Sequence, residues 1–173
     1  MVVAGVALAA VTLGAGCGAG HNVAASAVTT VPSGPITTAE CTAPVCTRLE
    51  LDSVTVRSGQ VLSGRITVVN NTGRAIKATG CGGIFRLLLT NGDPRTRRLA
   101  WPACAELVTI PVGASVTVVE ALARYPQCSG GTGDLPCTST GPPELPPGGY
   151  AATTFELGNA LPIPAPVAVT VDP

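Results

Sequence analysis

The cysteines of this 173-residue chain constrain its fold more than any other feature. There are seven of them, and all but one follow residue 40. Six cysteines permit many pairings, which sequence alone does not distinguish. Proximity along the chain favours three neighbouring pairs: Cys41–Cys46, Cys81–Cys104 and Cys128–Cys137. In the chain-entropy description, each such pair would stabilise the folded state by roughly 2–3.5 kcal/mol.

Metal binding is the alternative use for these cysteines. Structural zinc sites take cysteines about two to four residues apart, usually with a second pair or with histidines. Only Cys41 and Cys46 approach that spacing, and the single histidine, His21, precedes the cysteine-rich region. We therefore expect disulfides, and neither a metal nor another cofactor. Disulfides in turn predict an exported protein.

The charged residues divide the chain into parts. No Asp, Glu, Lys or Arg precedes Glu40, and the ten acidic and ten basic residues all lie from there onward. The expected parts are an uncharged leader of residues 1–16, a linker of residues 17–40 and a domain of residues 41–173. Because the two signs balance, no net charge attracts nucleic acid.

The leader consists of small, apolar residues. It suits the hydrophobic region of a signal peptide and falls short of the roughly 20 residues of a membrane-spanning helix. Residues 13–17, LGAGC, resemble the lipobox of bacterial lipoproteins. The resemblance implies cleavage before Cys17, lipidation of its thiol with a palmitate-bearing diacylglycerol, and anchoring at the extracytoplasmic face of the cell membrane. The alternatives are an incidental cysteine behind a cleaved signal peptide, and an uncleaved membrane anchor.

The linker and the overall composition add two expectations. Residues 17–40 are rich in Gly, Ala, Ser, Thr and Pro without a hydrophobic period, which predicts a flexible tether. His21 lies in this tether, where no partner residues for metal binding or catalysis accompany it.

Lys77 is the only lysine, while Arg, Ala, Gly and Pro are abundant, so we expect a GC-rich genome and an actinobacterial lipoprotein.

Short segments of alternating apolar and polar residues, separated by turn residues, fill the domain. In residues 61–70, Leu62, Ile66 and Val68 share one face with Gly64. Residues 70–74, NNTGR, are typical of a turn, and we interpret the NNT triplet as turn chemistry rather than as a glycosylation site. The other strands are expected at residues 48–56, 75–80, 84–90, 105–110, 114–125, 145–157 and 166–171. Residues 118–125, VVEALARY, could begin a helix, but the β-branched residues 116–119 favour a strand.

About seven such strands predict an all-β fold, an antiparallel β-sandwich. Residues 145–157, LPPGGYAATTFEL, resemble the penultimate-strand region of immunoglobulin-like domains, where a Pro-Gly turn leads into a strand that bears a tyrosine. The resemblance implies an Ig-like sandwich preceded by a signal peptide and a flexible linker. An Ig-like fold carries no function by itself.

Catalytic motifs do not stand out in the domain. It has no histidine, which excludes Ser-His-Asp and Cys-His catalysis. Asp134, Glu144 and Glu156 are scattered, and we interpret them as solvated surface carboxylates. The expectation is a non-catalytic, lipid-anchored binding module of the cell envelope. The alternatives are a proteinase inhibitor of Ig-like type, a structural envelope spacer, and an enzyme that uses carboxylates not paired in the sequence.

Two segments are candidate interaction surfaces. Arg95, Arg97 and Arg98 closely precede Trp101, the only tryptophan, and Arg with Trp is a common combination in binding hot spots. The alternative is that Trp101 fills one end of the core while the arginines solvate an edge strand. The second candidate is the long loop of residues 127–147. The expected partners are the membrane, through Cys17, and a protein or cell-wall polymer, but not nucleic acid.

The anchor is testable by metabolic labelling. We expect radiolabelled palmitate to enter the full chain and a Cys17→Ala variant to lose the label, because Cys17 is the expected acceptor thiol. The measurement is autoradiography of the immunoprecipitated chain, with its total amount as the control. Equal labelling of the variant would refute lipidation at this residue.

Overall fold

The computed structural model describes residues 37–81, 83–98, 106–129, 131, 133–158 and 160–173. The chain forms two units, Met1–Pro32 and Ser33–Pro173, and the described residues belong to the second. Cys17, His21, Trp101 and Cys104 lie outside the described residues. Within the part of the chain that the structure describes, no helix is long and apolar enough to cross a membrane.

The described residues form nine strands and one 3₁₀ turn, Pro94–Arg97. In chain order the strands are β1 (Val45–Leu51), β2 (Thr55–Arg57), β3 (Val61–Asn70), β4 (Ile76–Gly80), β5 (Phe85–Thr90), β6 (Glu106–Ile110), β7 (Gly113–Leu122), β8 (Gly148–Glu156) and β9 (Val167–Asp172). The ambiguous segment of residues 118–125 begins as strand, with residues 118–122 in β7, as the β-branched residues indicated.

The strands form two packed sheets and a small third one. The first sheet has the order β1-β3-β7 and the second the order β2-β9-β8-β5, while β4 pairs with β6. In the immunoglobulin arrangement the first, second and fifth strands share one sheet, and the third, sixth and seventh share the other. The first, second and fifth positions are occupied by β1, β3 and β7. The third, sixth and seventh positions are occupied by β5, β8 and β9. The predicted all-β sandwich is confirmed, with additional strands β2, β4 and β6.

The prediction of one strand over residues 48–56 is wrong. The segment leaves the first sheet after β1 and joins the second sheet as β2, which pairs in parallel with β9. At the crossing, the Ser53 hydroxyl accepts a hydrogen bond from the Thr55 N–H at 3.0 Å and donates one to the Thr55 carbonyl at 2.8 Å. This side chain satisfies backbone groups of Thr55, the first residue of β2, at the edge of the second sheet.

The core lies between the two sheets and follows the alternation seen in the sequence. In β3, Leu62, Ile66 and Val68 are buried, as their shared face predicted. The second sheet contributes the larger side chains from its inner face. These are Phe85, Leu87, Leu89, Tyr150, Val169 and Val171.

Tyr150 confirms the resemblance in the penultimate strand. Its hydroxyl donates a hydrogen bond to the Pro146 carbonyl at 2.9 Å, and its ring is buried. A tyrosine at the start of this strand that bonds to the backbone just upstream is the tyrosine corner of immunoglobulin-like domains. Ala152 lies two residues later and is fully buried, where antibody domains carry their second cysteine.

Two of the neighbouring cysteine pairs form disulfides. These are Cys41–Cys46, at the start of β1, and Cys128–Cys137, in the loop after β7. Cys81 is also disulfide-bonded. Its expected pairing with Cys104 stays a prediction, because Cys104 lies outside the described residues. The disulfides indicate an extracytoplasmic environment.

Asn70 holds together the turns at one end of the sandwich. It is fully buried, and its amide nitrogen donates to the carbonyls of Arg74 at 2.8 Å and Pro111 at 3.1 Å. Its Oδ1 accepts from the N–H of Thr72 at 3.1 Å and from its hydroxyl at 2.7 Å. This side chain therefore links the turn after β3 to the turn before β7, as the interpretation of NNT as turn chemistry requires.

Replacing Asn70 tests this linkage. We expect Asn70→Ala to lower the free energy of unfolding by about 2–4 kcal/mol, because it leaves buried backbone groups without partners. The matched control is Asn71→Ala, since Asn71 is exposed and we expect a loss of about 1 kcal/mol or less. Urea denaturation of the two variants measures the difference, and equal losses would contradict the role of Asn70.

Candidate functional site

Both candidate surfaces lie at one end of the sandwich. In the first sheet, Val61 pairs with Leu122 at one end of β3, and Asn70 pairs with Gly113 at the other. Residues 91–98 follow β5 and residues 123–147 follow β7, and both emerge at the Leu122 end. We call these two segments together the loop pole. The opposite end contains residues 37–44 and the turn after Asn70, and we call it the tether pole because the chain enters there.

A 3₁₀ turn shapes the first segment of the loop pole. Asp93 caps it, accepting from the Arg95 N–H at 2.9 Å, and Pro94 stands at its first position. The Thr96 hydroxyl, fully buried, donates to the Asp93 carbonyl at 2.7 Å and accepts from the Asn91 N–H at 3.2 Å. These local bonds follow from the Asn, Asp and Thr side chains, which readily satisfy nearby backbone groups.

Asp93, Arg95 and Tyr125 form the best-connected cluster of the loop pole. The Arg95 guanidinium donates to both carboxylate oxygens of Asp93, with Nε–Oδ1 2.9 Å and Nη2–Oδ2 2.7 Å. The same guanidinium lies 5.6 Å from the centroid of the Tyr125 ring, and the Tyr125 hydroxyl donates to Asp93 Oδ2 at 3.3 Å. A fork of this kind fixes the orientation of both side chains.

The interactions within this cluster shift the pKa values of Asp93 and Tyr125. The hydrogen bonds from the Arg95 side chain and backbone lower the pKa of Asp93 from 3.8 to about 2. Burial raises the pKa of the Tyr125 hydroxyl, and the adjacent Asp93 carboxylate raises it further. Asp93 is therefore charged and Tyr125 neutral across the physiological range.

Arg98 connects the two segments of the loop pole. Its guanidinium donates to Asp134, which lies inside the loop closed by Cys128–Cys137. Asp134 also accepts from the Ser129 hydroxyl at 2.5 Å. This hydrogen bond, followed by that from Arg98, lowers the pKa of Asp134. An ion pair thus joins the arginine segment to the disulfide loop.

Arg124 stabilises the tip of the long loop, residues 138–141, through hydrogen bonds to residues in and next to it. It donates to the Thr140 hydroxyl at 3.1 Å, the Pro142 carbonyl at 3.2 Å and a Glu144 carboxylate oxygen at 2.8 Å. The tip is a tight turn in which Thr138 and Gly141 exchange backbone hydrogen bonds of 2.8 and 3.2 Å. Residues 138–140 are exposed. The tip therefore projects into solvent while its base is fixed.

The structure brings together some of the candidate residues. Arg95 and Arg98 each form an ion pair with a carboxylate. Arg97 is exposed, and its side chain makes no hydrogen bond or ion pair with another described residue. Trp101 is outside the described residues, so its part in the surface stays a prediction. The two candidate surfaces are in contact through Arg98 and lie at one end of the sandwich.

Sequence reasoning missed three members of the site and misjudged one carboxylate. Asp93, Arg124 and Tyr125 were not singled out, although the capping pattern Asn-Gly-Asp-Pro marks Asp93 as a turn residue. The prediction of solvated surface carboxylates is wrong for Glu156, whereas Glu144 is exposed and Asp134 partly exposed, although both also form ion pairs with arginines. Glu156 is buried, and its Oε2 accepts from the Ala160 N–H at 3.0 Å.

The loop pole offers charged side chains and lies beside a groove. No group of three or more His, Cys, Asp or Glu among them is placed to hold a metal ion. A groove of about 340 Å³ runs beside the loop pole between β5 and β7, with Leu87, Leu89 and Ala121 among its lining residues. Its charged lining residues are Arg86, Glu120 and Arg124.

Comparisons with known proteins add little to this picture. No family model and no curated protein matches the sequence. Among solved structures, the chain is similar to a β-glucosidase from Erythrobacter marinus, with 12% identity and a TM-score of 0.44 over 74% of this chain and 15% of that one. It is also similar to a β-glucosidase from Listeria innocua in complex with glucose, with 13% identity and a TM-score of 0.41 over 75% and 16%. The chain thus spans about a sixth of these enzymes.

The Asp93 cluster predicts a pH dependence of stability. Because folding lowers the pKa of Asp93, its contribution is fully present above the ordinary value of 3.8 and is lost as the pH falls towards 2. We expect Asp93→Asn to be less stable than the parent chain at pH 6 and to lose less stability between pH 4 and pH 2. Urea midpoints across this range measure both effects.

The control for this prediction is Asp134→Asn. It removes the neighbouring ion pair but leaves Asp93 in place, so most of the decline below pH 4 should persist. If Asp93→Asn declines as steeply as the parent chain, the cluster does not contribute in the way described.

Proposed function

We propose that this chain is an exported, lipid-anchored envelope protein whose domain binds a protein or cell-wall partner through the loop pole, without catalysing a reaction. Cys17 is the proposed point of attachment. The observation that carries the proposal is an exposed loop tip, residues 138–140, whose base is fixed at the end of the sandwich opposite the entering chain.

The rigidity of the loop pole supports a binding role. A loop that is ordered before binding loses little conformational entropy when the partner arrives. Here the disulfide Cys128–Cys137 and the ion pairs of Arg95, Arg98 and Arg124 hold the segments in place. Loops positioned by a rigid β-scaffold are common binding elements.

The position of the loop pole supports the same role. β3 has ten residues, so the two poles lie about 30 Å apart along the strand direction. The chain enters the domain at the tether pole, where Val45 pairs with Asn70. The entering residues 37–44 therefore lie at the opposite end of the sandwich from a partner bound at the loop pole.

Site-specific photo-crosslinking tests the proposal. A photoreactive amino acid replaces Ser139 in the full chain, produced in the cells to which it is native, and the envelope is irradiated. We expect a discrete covalent adduct whose partner is identified by mass spectrometry. The matched control places the same amino acid at Arg74, which is exposed at the tether pole. No adduct, or the same adduct from both positions, would refute the loop pole as the binding surface.

A second variant tests whether rigidity matters. Arg124→Ala removes the hydrogen bonds that support the loop tip. We expect it to lower the affinity for the cross-linked partner about tenfold. The loop tip would then become ordered only when the partner binds, which reduces the binding free energy by about 1.4 kcal/mol. Arg74→Ala, which truncates an exposed side chain at the tether pole, should leave the affinity unchanged.

A further inference from the structure

Strand β7 is an open edge of the first sheet. Among the described residues it pairs only with β3, over its whole length. Just beyond its end, the Ala123 N–H donates to the Gln60 carbonyl at 2.8 Å, on the side of β3. Backbone groups alternate in direction along a strand, so odd-numbered residues of β7 bond to β3. The even-numbered residues turn their N–H and C=O groups to the open edge.

The outer face of this edge is apolar. Val116, Val118 and Leu122 are 58%, 69% and 55% exposed, and Val61, opposite Leu122, is 50% exposed. β7 contains no lysine and no proline, and Glu120 is its only charged residue. Proteins usually protect long edges with such residues or with a covering element. Exposed valines beside unpaired backbone groups therefore mark an interaction surface.

The structure points to a second copy of this chain as the occupant. We propose that β7 pairs antiparallel with β7 of a second copy about a two-fold axis at Val119. In an antiparallel pair about a two-fold axis, side chains directly opposite each other must lie on the same face of the sheet. One residue of β7 therefore pairs with its own copy at the axis, and the positions of the charged residues determine which residue this is. An axis at Glu120 would place two carboxylates directly opposite each other. An axis at Val119 instead places Glu120 opposite Val118 of the second copy.

The chosen register gives complementary contacts. Arg65 pairs with Val118 across the β3–β7 ladder, so Glu120 of the second copy lies in the same row, about 10 Å from Arg65 between Cα atoms. Arginine and glutamate side chains span such a gap. Arg65 is exposed and bonds to Asp52 at 3.4 Å, so its remaining donors are accessible. In the adjacent row, Val116 lies opposite Leu122 of the second copy.

The resulting pair is a continuous six-stranded sheet, since each copy contributes β1-β3-β7. It leaves the loop pole of each copy uncovered, one at each end. The dimer does not depend on the proposed function, because its surface is the side of the sandwich rather than its end.

Thiol cross-linking tests the register. The variants Val116→Cys and Leu122→Cys are made separately in the full chain with Cys17→Ser, and a short bismaleimide is added. We expect an equimolar mixture to give a covalent dimer and each variant alone to give at least about tenfold less. In the proposed register, the two copies of residue 116 lie about 20 Å apart. No dimer from the mixture, or equal dimer from either variant alone, would overturn the proposal.

Charge reversal provides an independent readout. We expect Glu120→Arg and Arg65→Glu each to weaken dimerisation about tenfold in sedimentation equilibrium, and the double variant to recover to within about threefold. Thermal unfolding of each variant confirms that the fold is retained. A parent chain that stays monomeric at all concentrations, or a double variant that dimerises no better than the singles, would overturn the proposal.

Discussion

The register of β3 is the constraint on which the rest of the structure depends. As the central strand of its sheet, it fixes the position of β1 on one side and of β7 on the other. A slip by one residue would turn Leu62, Ile66 and Val68 out of the core. Gly64 helps to fix this register, because a Cβ there would lie 2.5 Å from the Glu50 carbonyl oxygen of β1.

Each end of the sandwich relies on one polar residue that organises its turns. At the tether pole this is Asn70, whose side chain satisfies backbone groups of two turns. At the loop pole it is Asp93, which caps the 3₁₀ turn and binds Arg95 and Tyr125. In a chain with only 3% aromatic residues, these networks and the disulfides supplement a core of mostly small side chains.

The sequence predicted those features that depend on local pattern. The bounds of β3, the turn at Asn70 and the tyrosine of β8 follow from alternation and turn chemistry over a few residues. The transfer of the first strand to the second sheet was not predictable, because it depends on pairing with β9, more than 100 residues later. The carboxylates that pair with Arg95, Arg98 and Arg124 were not predictable either. Which carboxylate lies near each arginine depends on the folded structure and not on their separation in the sequence. The buried position of Glu156 likewise follows from its place on the inner face of β8.

The placement of β1 has a mechanical consequence. The strand starts at the tether pole and runs towards the loop pole, with all seven of its residues paired to β3. Tension between the entering chain and a molecule held at the loop pole would act along the axis of β1. Its hydrogen bonds are perpendicular to that direction, so they would be loaded in shear together rather than peeled apart in sequence. Such a geometry resists extension through a slow rate of forced unfolding, and it suits a domain held at one end and pulled at the other.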